Sequence, residues 1–489
     1  MKTRIVVLLS LIGFAAFSQE KDTTVVFKKR VLESTEVDFL ASYYIQNGSK
    51  SAVSGGIGSE KLTDIASNII VNMPINDDAT LTIDLGISAY SSASSSNINP
   101  FNSTGASGGG GDDDGDGDDD DRKSNNKGAA STNGPYGSPW QASSGASKSD
   151  QLTAISANYA HSSDSRNFIW NADVSFSNEY DYTSVGFGGG IATLFNEKNT
   201  ELSLKTNVYL DQWRPIYPTE LHEYSIYDSN FLNQGYFSGV TVLDQNGQST
   251  NAYLPSSFKT IASVDRNSYS ASVGLSQVVS KNLQLSIFFD VLQQKGLLST
   301  PYHRIYFADK ANYYIGQSQY INNYESVNNS GVFKLADDIE RLPDSRFKLP
   351  IGARLNYYIN ERFVMRTYYR FYSDNWDIQS HTASIELPVK LSDQFTIFPM
   401  YRYYTQTGSK YYAPYETHLS TEEFYTSDPD LGTFNANQYG FGINYTDIFT
   451  GSKIWKFGLK NIDFRFNHYE RSDNLKANIA TIGFKFIME

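Results

Sequence analysis

Residues 349–371, LPIGARLNYYINERFVMRTYYRF, carry the strongest structural signal in the chain. Their side chains alternate in character along two segments that flank a turn near Asn360. A period of two is typical of a β-strand whose two faces meet different surroundings. The positions expected on the outer face are Leu349, Ile351, Ala353, Leu355, Tyr357 and Ile359, then Phe363, Met365, Thr367, Tyr369 and Phe371.

The aromatic residues of this face, and of the two segments that follow it, gather near the strand ends. A β-sandwich would bury its aromatics in mid-strand, whereas an outer-membrane barrel carries an aromatic girdle at each membrane interface. We therefore predict an all-β fold, a transmembrane antiparallel β-barrel. The aromatics concerned are Tyr357, Phe363 and Phe395 near the short turns, and Tyr369, Phe371, Tyr401 and Tyr403 at the far ends.

The connections predict how this barrel lies in the membrane. Short turns, such as Ser280-Lys281 and Ser392-Asp393, alternate with long connections near 91–149, 213–266 and 295–347. Because outer-membrane barrels use short periplasmic turns and long external loops, both termini should face the periplasm. We expect about sixteen strands, within a range of roughly 14–18, near 36–46, 64–75, 79–91, 150–161, 167–179, 183–195, 200–212, 266–279, 282–294, 347–359, 361–373, 381–391, 394–407, 436–447, 455–468 and 475–487.

The first residues have the order of a Sec-type signal peptide, with Lys2 and Arg4 ahead of an apolar run and small residues near Ser18. We expect 1–18 to be removed, 19–35 to form a periplasmic segment and 36–489 to form the barrel in the cell outer membrane. No later apolar run reaches the length of about 18 residues that suggests a helical span. The chain has no cysteine, so it carries no disulfide and is not a lipoprotein.

Several passages resemble an uncharacterised family of outer-membrane β-barrels in Bacteroidota, a domain of unknown function. The resemblance covers the mature chain and implies the barrel fold, but it brings no catalytic residues. It also implies partners such as a small lipoprotein or another envelope protein of a redox assembly. The passages are KKRVLEST at 28–35, SGGIGSEKLTD at 54–64, SASSSNINPF at 92–101, SGA at 144–146 and YLDQWRPIYP at 209–218.

The last strand, which ends in IGFKF at 482–486, resembles the aromatic-rich strand that the barrel assembly machinery recognises. It departs from that pattern because the chain continues to Glu489 instead of stopping at the aromatic residue. Outer-membrane lipid and the assembly machinery are therefore expected partners.

The stretch GGGGDDDGDGDDDD at 108–121 lies in an acidic external loop expected at about 92–149. Glycine and like-charge repulsion favour a disordered, solvated loop. Its spacing also matches the first half of an EF-hand calcium loop, although Lys123 stands where a bidentate Glu belongs. A calcium site, diffuse divalent binding and bridging to lipopolysaccharide stay open, with candidate ligands Asp112, Asp114, Asp116, Asp118 and Asp120.

A second group of charged residues is expected on the lumen face of the barrel. Counted from the turn at Asn360, Arg354 and Arg366 should lie opposite each other, with Glu386 as the compensating charge. Arg370 and Arg402 should form a second tier above them. This group predicts either an anion-preferring constriction or a filled, non-conducting interior.

We do not expect an enzyme. The histidines show no metal-ligand spacing, no nucleophile elbow or phosphate loop stands in a recognisable context, and the net charge of −13 disfavours nucleic acid. The expected function is a membrane scaffold or anchor for an envelope complex, and the alternative is a porin-like channel with an arginine-lined lumen. The six histidines are His161, His222, His303, His381, His418 and His468.

Overall fold

The computed structural model describes residues 30–92, 150–179, 181–325 and 331–488. Sixteen long strands form one antiparallel sheet in which each strand pairs with its neighbour along the chain. We number them β1 Glu36–Asn47, β2 Leu62–Pro74, β3 Ala79–Ser92, β4 Asp150–Ser162, β5 Phe168–Asn178, β6 Tyr182–Phe195, β7 Thr200–Trp213, β8 Asp265–Ser280, β9 Leu283–Gly296, β10 Ser345–Tyr358, β11 Val364–Asp374, β12 Gln379–Glu386, β13 Phe395–Gln406, β14 Phe434–Thr446, β15 Phe457–Arg471 and β16 Lys476–Met488.

The sheet closes on itself. The first strand pairs with the last in a continuous register that runs from Glu36 opposite Ile487 to Asn47 opposite Lys476. Closure leaves no unpaired edge in the ring, as a barrel requires. The predicted fold class and the expected number of sixteen strands are confirmed.

One expected strand, 381–391, is interrupted. β12 ends at Glu386, and a two-residue strand, Val389–Lys390, continues the pairing with β13. Pro388 lies in the gap, and proline has no backbone N–H to donate to a neighbouring strand. A second two-residue strand, Lys453–Ile454, pairs with the start of β15.

The two faces of the barrel differ in polarity, as the alternation predicts. On the outer face, large apolar side chains in mid-strand are exposed, for example Ile69 at 42% and Val174 at 53%. The lumen face is polar, and Asn68 donates to Asp84 across the β2–β3 pair. An apolar belt outside and a polar interior are what a bilayer-spanning barrel presents. No helix in the described ranges is both long and apolar enough to cross a membrane.

The two ends of the barrel differ in their connections. Seven connections at the end with both termini are short, and the longest of them is 447–456. Arg30, just ahead of β1, pairs with Asp77 of the β2–β3 turn at this end. The opposite end carries the long loops together with three short connections at 179–181, 375–378 and 472–475, so the predicted alternation of loop length holds only in part.

Four long loops fold together at the end opposite the termini, and we call them the cap. The cap comprises 48–61, 214–264, 407–433 and the described parts of 297–344. It contains helix α1, Thr219–Tyr227, and short paired strands that include Tyr313–Gly316 and Val332–Lys334. Its apolar core combines residues of two loops, namely Phe231, Phe237, Val242, Tyr253, Ile315, Phe333 and Leu335. The remaining short elements are strands Val242–Asp244, Arg304–Ile305 and Asp338–Ile339, and 3-10 helices Ala52–Ser54, Asp228–Asn233, Gly235–Phe237, Ser318–Asn323 and Pro429–Leu431.

Candidate functional site: an arginine-lined lumen beneath a cap

Two cavities inside the barrel share Arg354, Tyr368 and Arg402 in their walls. The cavity nearer the short turns has a volume of about 310 Å³ and is also lined by Arg366 and Glu386. The cavity nearer the cap has a volume of about 680 Å³ and is also lined by Arg370. All five residues predicted for the lumen therefore line its cavities.

The expected opposition of Arg354 and Arg366 is wrong. Arg354 lies opposite Tyr368, and Arg366 lies opposite Asn356. The turn is centred on Glu361 rather than Asn360, because Tyr358 pairs with Val364. The shift keeps the two guanidinium groups apart, and Arg354 instead lies 5.6 Å from the centre of the Tyr368 ring, within cation–π range.

Glu386 compensates Arg366, as the sequence predicts, but it also binds a residue that the prediction missed. Its two carboxylate oxygens accept from Arg366 Nη1 at 2.9 Å and from Arg465 Nη1 at 2.8 Å. Arg465 in turn donates to Asp463. Arg366 and Arg465 are therefore neutralised by Glu386 and Asp463, whereas Arg354 and Arg402, which the lower cavity shares with the upper one, are not neutralised by any described residue.

Arg370 and Arg402 do not form the expected second tier. Paired residues on β10, β11, β12 and β13 form one row across the sheet, in the order Arg354, Tyr368, Ser384 and Arg402. Arg354 and Arg402 thus share one row of paired residues. Arg370 is two residues further along β11, in the direction of the cap.

Among the described residues, Arg354, Arg370 and Arg402 have no compensating charge. Within the described part of the chain, no carboxylate lies within ion-pair distance of any of the three. The Nε atoms of Arg370 and Arg402 are buried without a hydrogen-bond partner, and Arg402 has only a long contact, 3.4 Å, to Gln438. Guanidinium groups with unused donors bind carboxylates and phosphates. The upper cavity is therefore suited to an anion.

Arg471 and Asp430 lie in the wall of the upper cavity on the side of the cap. Arg471, at the end of β15, forms ion pairs with Asp430 of the cap and with Asp473. Its guanidinium carbon lies 3.8 Å from the centre of the Phe434 ring. These contacts occupy Arg471, so the free positive charge of the cavity comes from the three arginines below it.

The cap crosses the mouth of the barrel. Arg304, from the β9–β10 loop, donates to the backbone oxygen of Val53, in the β1–β2 loop, at 3.2 Å. In a ring of sixteen strands these two loops leave from opposite sides. The same guanidinium pairs with Glu220 of the β7–β8 loop. Sequence reasoning missed these residues because no local pattern relates segments so far apart.

The acidic loop lies outside the described residues. Calcium binding by Asp112, Asp114, Asp116, Asp118 and Asp120 stays a prediction, as does the signal peptide at 1–18. None of the six histidines lines either of the two lumen cavities. His381 shares a hydrogen bond with Tyr369 on the outer side of β12.

Comparison with solved structures finds bacterial outer-membrane barrels at low similarity. A bacterial polysaccharide outer membrane secretin is 9% identical, with 92% of this chain and 98% of that chain covered and a TM-score of 0.37. A Pseudomonas aeruginosa FadL homologue is 9% identical, with 93% and 90% covered and a TM-score of 0.37. P. aeruginosa OccK2 (OpdF), solved with glucuronate, is 6% identical, with 95% and 100% covered and a TM-score of 0.36. At TM-scores this low, the likeness carries no argument about this chain.

Sequence comparison identifies the family to which the chain belongs. No curated protein matches it. The family model described as "Protein of unknown function (DUF3570)" matches residues 6–483. Because this match spans nearly the whole chain, the protein belongs to the DUF3570 family.

Proposed function

We propose that this protein is an outer-membrane β-barrel that takes small anionic solutes into its lumen and passes them across the membrane. The single observation that carries the proposal is the unpaired state of Arg354, Arg370 and Arg402 around a cavity of about 680 Å³. A volume in this range suits a small-molecule ligand. Three guanidinium groups without carboxylate partners give the cavity a positive potential that attracts anions and repels cations.

The exterior supports a membrane location. Exposed apolar side chains circle the barrel, while polar pairs such as Asn68 with Asp84 face inward. A water-exposed apolar belt of this extent would be costly, whereas lipid tails cover it without cost. The outer membrane is the location that a closed antiparallel barrel with an even number of strands favours.

A planar-bilayer recording tests the proposal. The refolded protein, with a potassium chloride gradient across the bilayer, should conduct with a reversal potential shifted toward that of chloride. The triple variant R354Q/R370Q/R402Q should lose most of this shift, because it removes the unpaired charges. R362Q, on the exposed β10–β11 turn, is the matched control and should behave as wild type.

Two results would count against the proposal. One is a cation-preferring channel. The other is the absence of conductance both in the wild-type protein and in a variant whose cap is loosened at Arg304.

A scaffold for an envelope complex is the second candidate function, and one observation favours it. On the β14–β15 turn, at the end with the termini, Phe449 is 86% and Trp455 is 95% exposed. Aromatic side chains of this kind are typical anchors of a protein interface. A stoichiometric envelope partner should co-purify from native membranes with the wild type and be lost with F449S/W455S. Purification of a lone barrel would argue against this role.

A further inference from the structure

Three residues that the lumen does not use meet inside the cap. His303 and Glu340 come from the β9–β10 loop and Asp428 comes from the β13–β14 loop. One ligand atom from each, a ring nitrogen and two carboxylate oxygens, lie within 4.8 Å of one another. His303 Nδ1 is 3.3 Å from Glu340 Oε2.

Two members of the cluster are buried and Asp428 is half-buried, and no described cation balances their negative charge. His303 and Glu340 are each only 2% exposed. In the described ranges, no lysine or arginine lies within ion-pair distance of Glu340 or Asp428. Two carboxylates beside one imidazole leave a net negative charge even when the imidazole is protonated. An uncompensated charge away from water is costly, so the site calls for a cation.

Neighbouring groups hold the carboxylates in place. Glu340 accepts from the backbone N–H of Thr300 at 2.7 Å and from the hydroxyl of Thr426 at 2.5 Å. Asp428 accepts from the N–H of Asp430 at 2.9 Å. Hydrogen bonds of this kind are the outer support by which protein metal sites hold their ligands in position.

The ring nitrogen of His303 that faces the carboxylates is Nδ1. It lies 3.3 Å from Glu340 Oε2, whereas Nε2 is buried and has no hydrogen-bond partner among the described residues. A neutral imidazole with its proton on Nε2 presents the lone pair of Nδ1 to Glu340. A metal ion between the two atoms would bind both of them.

We propose that the cap binds one divalent transition-metal ion, of the class of zinc, between His303, Glu340 and Asp428. One imidazole and two carboxylates form a donor set that zinc uses in proteins, and their charges balance the ion. Two ligand atoms on a tetrahedral zinc lie roughly 3.4 Å apart, close to the 3.3 Å that separates His303 Nδ1 from Glu340 Oε2. The ion would join the β9–β10 loop to the β13–β14 loop and so brace the cap.

Zinc binding to the full-length refolded protein tests the proposal. After chelation and dialysis against zinc, the wild type should retain about one tightly bound ion per chain, measured by elemental analysis. Deletion of 108–121, the acidic loop, should leave this ion in place and remove only weak additional binding. H303Q and D428N should each weaken tight binding at least about tenfold. Hydrogen exchange should slow in 297–344 and 407–433 when zinc is added to the wild type.

H418Q is the matched control. His418 is also buried in the cap, but its ring nitrogens contact Glu422 and Thr426, so this variant should bind zinc as the wild type does. Heat-modifiable mobility on gels shows which variants have folded, and D428N serves if H303Q does not fold. The proposal fails if the wild type holds no tight zinc, if H303Q or D428N holds it as tightly, or if deletion of 108–121 abolishes it.

Discussion

Arg304 and Glu220 form a two-pronged ion pair that is fully shielded from solvent. Arg304 Nε lies 2.8 Å from Glu220 Oε1, and Nη2 lies 3.3 Å from Oε2. The remaining guanidinium nitrogen, Nη1, donates to Val53, and Glu220 also accepts from the N–H of Ala336. A single guanidinium therefore holds three loops of the cap together.

Breaking this pair should loosen the cap and leave the barrel intact. R304M leaves Glu220 as an uncompensated buried charge, which costs about 3–5 kcal/mol. Hydrogen exchange in 214–264 and 297–344 should accelerate accordingly, while exchange in the strands stays slow. K476M, which removes an exposed ion pair with Glu470, should change stability much less than R304M does. Equal effects of the two variants would contradict the inferred role of Arg304.

Neutralising Glu386 should strengthen the preference for anions. E386Q removes the carboxylate that pairs with Arg366 and Arg465, so the lower cavity gains one net positive charge and Arg366 loses this ion pair, while Arg465 keeps Asp463. The reversal potential in a salt gradient should shift further toward that of chloride. E361Q, on the exposed β10–β11 turn, should leave it unchanged. An unchanged reversal potential after E386Q would mean that the lower cavity is not on the conduction path.

The β1–β2 part of the cap should weaken as the pH rises. Burial raises the pKa of the Glu60 carboxyl to about 7, against the opposing hydrogen bond from the Lys50 N–H. The ordinary value is 4.5, so between these two pH values the folded cap binds more protons than the unfolded one. The free energy of local unfolding therefore falls as pH rises from about 4.5 to 7, by roughly 3 kcal/mol at most.

Hydrogen exchange in 48–61, corrected for intrinsic rates, measures this effect. The wild type should lose protection between pH 5 and pH 8, and E60Q should lose less, because it cannot ionise. Asp430, Asp473 and Arg471 also act on this carboxyl, with the two aspartates raising and the arginine lowering its pKa. Identical pH profiles for the wild type and E60Q would contradict the assignment.

A charge on the outer face should cost more in mid-strand than at a turn. V174R places a cation at the middle of β5, where a lipid-facing arginine destabilises by about 2–4 kcal/mol. L391R makes the same change at the exposed β12–β13 turn and should cost about 0–1 kcal/mol. Equilibrium unfolding in lipid vesicles measures both. Similar costs at the two depths would argue that β5 does not cross a bilayer.

The strands could be predicted because their signal is local. The alternation in 349–371 needs only neighbouring residues, and the strands end within a few residues of the expected positions. The pairing partner of Arg354 was predicted wrongly, because a turn centre displaced by one residue moves the partner of every strand residue by two positions. Lumen residues were found since every second position of a barrel strand faces inward.

The cap could not be predicted in the same way. Arg304 and Glu220 are 84 residues apart, and His303 and Glu340 are 37 apart. Arg304 and Glu220 meet because separate loops pack together, and His303 and Glu340 meet because one long loop folds back on itself, so no short-range spacing in the sequence signals either pair. For this reason, the spacing of the histidines in the sequence did not indicate a metal site, although His303 lies beside the carboxylate of Glu340 in the structure.

The contact between Arg304 and Val53 also implies an order in which the barrel and the cap fold. The two residues belong to loops that leave opposite sides of the ring, so they come within reach only when β1 has paired with β16. The cap therefore completes its fold after the barrel has closed, and protection of the cap from hydrogen exchange should follow the appearance of the heat-modifiable form. Until the ring closes, the β1–β2 and β9–β10 loops lack this contact.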